Sequence, residues 1–166
     1  MILDLPLGNS TLINLIKTNY PLILILVVFS ISVLYLQGLK APWVDECYTY
    51  YGVWHDSLGE FYSSMLTGIN FSPPLYFLFN FFIQLIYPTS IENLRVQSLV
   101  WTLVGITLSF ILARKAFGSL SAFLGTILVL SQSSHLLSQS QEARHYTMFF
   151  ACPAWVLLMP SCKNQH

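Results

Sequence analysis

The most constraining feature is an uncharged apolar run near the start of the chain. From Pro21 to Leu36 it reads PLILILVVFSISVLYL, broken only by Ser30 and Ser32, with Lys17 and Lys40 on either side. Crossing about 30 Å of hydrocarbon takes about 20 helical residues, and residues 20–39 supply them. A cleaved signal peptide is the competing reading, but the run is long for its apolar region and no A-x-A site follows before Trp43. Residues 20–39 therefore read as a first membrane span.

Composition agrees. Charged residues make up 8% of the 166 and hydrophobic ones 55%, against about 25% charged in ordinary soluble domains. A chain this apolar has ample surface to bury, which excludes intrinsic disorder. Seven Lys+Arg balance seven Asp+Glu, with no basic cluster to neutralise a phosphate backbone, so nucleic acid is excluded as a partner. Cys47, Cys152 and Cys162 are odd in number and lack C-x-x-C spacing, so neither a disulfide framework nor a zinc site is indicated.

Further apolar stretches follow. Residues 96–113 have the length of a second span and run directly into Arg114-Lys115, the strongest marker of a cytoplasmic end. Residues 120–137 form a third span with a polar second half that should face protein or water, and residues 147–160 start a fourth. Leu75–Tyr87 is short for a span and sets Asn80 and Gln84 four residues apart on one helical face, a pattern suited to the membrane interface. If it only lies on the surface, Lys17, Arg114, Lys115 and Lys163 fall inside. Lys40, Arg95, Arg144 and six of the seven acids then fall outside, leaving Asp4 within. The expectation is an all-α integral membrane protein of about four spans. Residues 1–19 are a cytoplasmic tail, and 40–95 and 138–146 are extracytoplasmic loops.

The loop 40–95 holds fourteen aromatic residues. Tyr and Trp settle at headgroup depth, where one end of the ring meets lipid and the other water, so the loop should lie on the membrane as interfacial helices. Ser72-Pro73-Pro74 opens one of them with proline where the first helical turn tolerates it. Asn70-Phe71-Ser72 is a glycosylation sequon.

Two polar constellations share this outer side. Asp45-Glu46, just past the first span, can act as a general base with its partner or as oxygen ligands for a divalent cation; two solvated acids are the plain alternative. In the segment Ser140-Gln141-Glu142-Ala143-Arg144-His145-Tyr146, Arg144 offers a planar fork that matches phosphate, Tyr146 can donate beside it, and Glu142 can position the arginine. The alternative is an arginine that pairs with Glu142 or snorkels to headgroups.

Trp43-Val44-Asp45-Glu46, Ser72-Pro73-Pro74-Leu75-Tyr76, Arg95-Val96-Gln97-Ser98, the segment Ala113 to Gly118 and the segment Ser140 to Tyr146 occur in an order that resembles the N-terminal part of GT-C glycosyltransferases. The resemblance is to relatives of protein O-mannosyltransferases and lipid A aminoarabinose transferases, and it covers most of residues 20–150. It implies a multi-pass enzyme, in the plasma membrane of a prokaryote rather than the endoplasmic reticulum. Such an enzyme moves a sugar from a polyprenyl-phosphate carrier to a lipid, glycan or protein acceptor on the outer face. By carry-over, Asp45 is the general base and Glu46 supports it or helps bind a cation. Arg144 with Tyr146 neutralises the carrier phosphate, while Asn80 and Gln84 form the floor for lipid and sugar. The resemblance leaves room for a divalent metal without requiring one, and His55, His135, His145 and His166 have no ligand spacing. The family often has Pro where His145 stands, and its enzymes run to several hundred residues. The chain is therefore expected to be an N-terminal fragment, weak or inactive alone. A non-catalytic membrane subunit and a small transporter are the other readings.

Overall fold

The computed structural model describes residues 9–67, 74–88, 90–132 and 134–163. The sequon, the Ser72-Pro73 pair and Asp4 lie outside these. Every regular element among the described residues is an α-helix: α1 (Asn9–Leu39), α2 (Val44–Val53), α3 (Leu58–Leu66), α4 (Pro74–Gln84), α5 (Ile91–Phe117), α6 (Ser119–Gln132), α7 (Ser134–Ser140) and α8 (Tyr146–Lys163).

Helix α5 is the hub and packs against α1, α2, α6, α7 and α8. Its Leu99, Ile106 and Phe110 meet Leu22, Ile25, Phe29 and Val33 of α1 and Ala122 of α6 in the main core. The α1 residues recur at three- and four-residue spacing, so they form one stripe of the helix. The other faces of α1 are equally apolar: Leu24, Val28, Ile31 and Tyr35 are all at least half exposed. A helix apolar on every side is a buried core helix or a membrane span, and α1 is not buried. Among the described residues, Asn19–Leu39 and Ile91–Phe117 are the two helical stretches long and apolar enough to cross a membrane.

A second layer is built from the 40–95 segment. Val53 of α2, Phe61 of α3 and Tyr76, Phe77 and Phe81 of α4 make its core. Phe79 of α4 packs edge-on to Trp101 of α5 at 5.2 Å, which ties this layer to the flank of the hub. The outward residues Leu75, Phe82, Leu85 and Ile86 stay exposed. An amphipathic layer with an aromatic outer rim is what the composition of this segment requires.

Local signals set most boundaries. Ser90 accepts from the Asn93 N–H and starts α5, and Ser57 does the same for α3 through Glu60. Gly118, at φ 87°, closes α5 with its N–H on the Arg114 carbonyl and turns the chain into α6.

Several expected limits shift. The helix of the first span begins at Asn9, so much of the expected tail 1–19 is helical. The second runs from Ile91 to Phe117, which puts Arg95 inside it. The stretch 120–137 is divided between α6 and α7, and the loop 138–146 loses Ser138–Ser140 to α7. Ser131 and Ser134 are exposed, and the Ser131 hydroxyl is satisfied by the Leu128 carbonyl of its own helix.

Candidate functional site

The C-terminus of α1, the start of α2, the first turns of α5 and the α7–α8 connection converge at one end of the bundle. Helix α1 has no basic residue in its last turn, and its last carbonyls need donors. Arg95, from α5, supplies them: its Nη1 donates to the carbonyls of Gln37 (3.2 Å) and Lys40 (2.9 Å), and its Nη2 to that of Ala41 (3.3 Å). The remaining two donors grip Glu46 as a fork, Nε to Oε1 at 2.8 Å and Nη2 to Oε2 at 2.7 Å. All five N–H groups of the guanidinium are thereby used.

Glu46 is equally committed. It is fully buried and also accepts from the Trp43 N–H (3.0 Å) and the Ala143 N–H (3.0 Å). Burial by itself would push this carboxyl up, but Arg95 and the two backbone donors outweigh it and hold the group below its ordinary value. One buried carboxylate thus joins the segment before α2, helix α5 and the segment before α8. The expected roles of Glu46 as a partner for the base or a cation ligand do not suit this placement, because both oxygens are already bonded twice. Asp45 then stands as a single carboxylate, and among the described residues no group of three His, Cys, Asp or Glu is placed to hold a metal ion.

Asp45 and Arg144 are 99 residues apart in the chain and meet at the rim, Nη2 to Oδ2 at 2.7 Å. The Asp45 side chain is 53% exposed and that of Arg144 17%. This hydrogen bond is the one side-chain bond the Arg144 guanidinium makes among the described residues, in contrast to the saturated Arg95. The guanidinium also lies over the Tyr146 ring at 5.6 Å. Its backbone is fixed, with the preceding Ala143 N–H on Glu46 and its own carbonyl accepting from Ser98 Oγ at 3.4 Å. Beside it, the His145 ring contacts Tyr146 at 4.3 Å, Phe149 at 5.6 Å and Tyr76 at 6.2 Å. Burial and then the Arg144 charge hold His145 below its ordinary value, so the ring is biased to its neutral form. Tyr76 is wholly buried, and that burial pushes its phenol up to about 12.

The other expected site residues are placed differently. Glu142 pairs with Lys40 at 2.6 Å rather than with Arg144, and its Oε1 also accepts from Ser138 Oγ at 3.4 Å. Asn80 is buried and donates to the Tyr76 carbonyl of its own helix, while Gln84 donates to the His55 carbonyl at 3.0 Å. Gln84 thereby ties α4 to the segment after α2, Asn80 bonds within α4, and the two line a small pocket with Val53, Ile83 and Leu94. Sequence reasoning missed Arg95, Lys40 and Gln37. Gln37 bridges the carbonyls of Arg95 and Ser140. Arg95 carried a signal: a charge within the first turns of a membrane-length helix needs a buried partner. No family model, curated protein or solved structure matches the chain.

Proposed function

We propose that this chain is a membrane glycosyltransferase of the GT-C kind that takes a sugar from a polyprenyl-phosphate carrier at the extracytoplasmic membrane face. The observation that carries the proposal is the Asp45–Arg144 pair: a rim carboxylate and a guanidinium with donors to spare, beside the closed Arg95–Glu46 and Lys40–Glu142 pairs. In the reaction, the acceptor hydroxyl gives its proton to Asp45 as its oxygen bonds to the anomeric carbon. The bond from that carbon to the carrier phosphate breaks, and the electron pair leaves on the phosphate, where Arg144 neutralises it. Tyr146, stacked on Arg144, keeps the guanidinium plane in place. Glu46 and Arg95 hold the two backbones that carry the pair.

A four-span arrangement of α1, α5, α6 with α7, and α8 belongs to the same proposal. Two polar layers support it. At the far end, Arg114 Nη1 donates to Asn19 Oδ1 at 2.7 Å. Arg95 and Arg114 are nineteen residues apart on α5, about 28 Å along the axis, close to the thickness of a hydrocarbon core. Helices α6 and α7 return from the Gly118 turn to Ser140, whose carbonyl bonds Gln37 beside the site. The membrane is that of a prokaryotic cell, and the acceptor is a lipid, glycan or protein.

Transfer of a radiolabelled sugar from a polyprenyl phosphate, measured in membranes carrying the chain, tests the proposal. Asp45→Asn removes the proton acceptor at nearly constant volume and should lower the rate by about 100-fold. Undiminished transfer by that variant would refute the role of Asp45.

A further inference from the structure

The resting structure contains a conflict for the chemistry just described: the group that should accept a proton is neutralised by the group that should hold the phosphate. We infer that the Asp45–Arg144 pair is a latch opened by a phosphate group on a lipid, which takes Arg144 and thereby releases Asp45 as a free carboxylate. This rests on the carrier-phosphate reading above and adds the order of events at the same site.

Three observations carry it. The pair is held by one hydrogen bond at 2.7 Å and its carboxylate is half exposed. Exposed ion pairs of this kind are weak, whereas a phosphate can engage two N–H groups of the guanidinium in parallel. Exchange of one acceptor for the other is therefore downhill. Second, opening needs no backbone movement, because Glu46 pins the Trp43 and Ala143 N–H groups on either side of the pair. Third, the guanidinium lies over the Tyr146 ring at 5.6 Å, a contact that does not depend on Asp45. The neighbouring Lys40–Glu142 pair is more enclosed, with side chains 19% and 16% exposed, and stays closed. With Arg144 turned to the phosphate, Asp45 Oδ2 is left without its hydrogen-bond partner and can accept from the acceptor hydroxyl, so the base becomes available only once the donor is seated. An empty site then has no unpaired carboxylate to act on water.

The test is binding of a fifteen-carbon prenyl monophosphate to the 166-residue chain in nanodiscs of zwitterionic phosphatidylcholine. Wild type must break the pair before it binds and Asp45→Asn need not, so the variant should bind tighter, by up to about fivefold. Arg144→Lys should bind more weakly than wild type, because lysine has no fork. In an Arg144→Met background, which has no cation to pair with Asp45, Asp45→Asn should give no gain, since the coupling it relieves is gone. Asp45→Ser serves as the second variant if the asparagine form is not monodisperse and helical.

Equal or weaker binding by Asp45→Asn would overturn the latch, as would the absence of binding by both proteins. Two further arms identify the source of the phosphate. If inorganic phosphate shows the same gain, the anion alone opens the latch. If phosphatidylglycerol in the nanodisc removes the gain, bulk headgroups already hold Arg144. Either result retains the exchange. The two proposals fail separately: a tightened Asp45→Asn with no sugar transfer by wild type keeps the latch and removes the transferase, and transfer with unchanged Asp45→Asn affinity does the reverse.

Discussion

Replacing Glu46 by alanine is the sharpest perturbation of this architecture. It removes a fully buried carboxylate, leaves the Arg95 charge without its anion, and strips the acceptor from the Trp43 and Ala143 N–H groups. Removing one partner of a buried ion pair costs about 3–5 kcal/mol, and each orphaned buried donor about 1–3 kcal/mol. These penalties overlap, because water can reach parts of an emptied site, so the expected loss is about 4 kcal/mol. Asp45→Ala, one residue away, breaks a pair of similar length at an exposed rim and should cost under about 1 kcal/mol. Reversible unfolding in mixed micelles, titrated with a denaturing detergent and followed by helical circular dichroism, measures both. A loss below about 1 kcal/mol for Glu46→Ala would refute the view that this carboxylate joins the three segments. Acidity gives a second reading. The folded Glu46 carboxyl lies below its ordinary value of 4.5, so the unfolded chain binds more protons in the interval between the two values. The stabilisation is complete above that ordinary value and is lost as pH falls through the folded one. The stability gap between wild type and Glu46→Gln should therefore narrow in acid and stay constant near neutral pH.

Two further predictions address packing and topology. A Cβ at Gly105 would stand 2.3 Å from Phe150 Cδ1, so Gly105→Ala should separate α5 from α8 at a cost of about 1–3 kcal/mol. Phe150→Ala in the same chain should recover part of it; additive losses would show that the two do not share this contact. In a cysteine-free background, Gly59→Cys should react with a membrane-impermeant maleimide from outside and Ser119→Cys only after permeabilisation. Ser119 replaces its neighbour Gly118 as the probe because a side chain is strained at φ 87°. Outside labelling of both sites would sink the four-span arrangement.

Much of the architecture is local and was legible in the chain. An uncharged run between two lysines makes α1 a membrane-length helix whatever it packs against, because no water is present to hydrogen-bond an open backbone in hydrocarbon. That residues 40–95 form separate short helices was also expected, and α2, α3 and α4 lie there; the caps at Ser57 and Ser90 were not read from the sequence. The pairing of Asp45 and Arg144 was anticipated only as convergence on one face, and the partners of Glu142, Asn80 and Gln84 were not foreseen.

The division of labour between Asp45 and Glu46 was decided by tertiary structure alone. Adjacent residues on a helix point about 100° apart, so of two neighbouring carboxylates one can enter the core while the other stays at the rim. Which one turns inward depends on Arg95 and on the Ala143 backbone, 49 and 97 residues further along the chain. Arg95 in turn is held by the open end of α1. The sequence determined that the long apolar runs carry no charge, so the charges lie at or beyond their ends. The fold decided which charges were spent in closing the structure and which pair was left accessible, because that choice follows from donors and acceptors brought together across the whole chain.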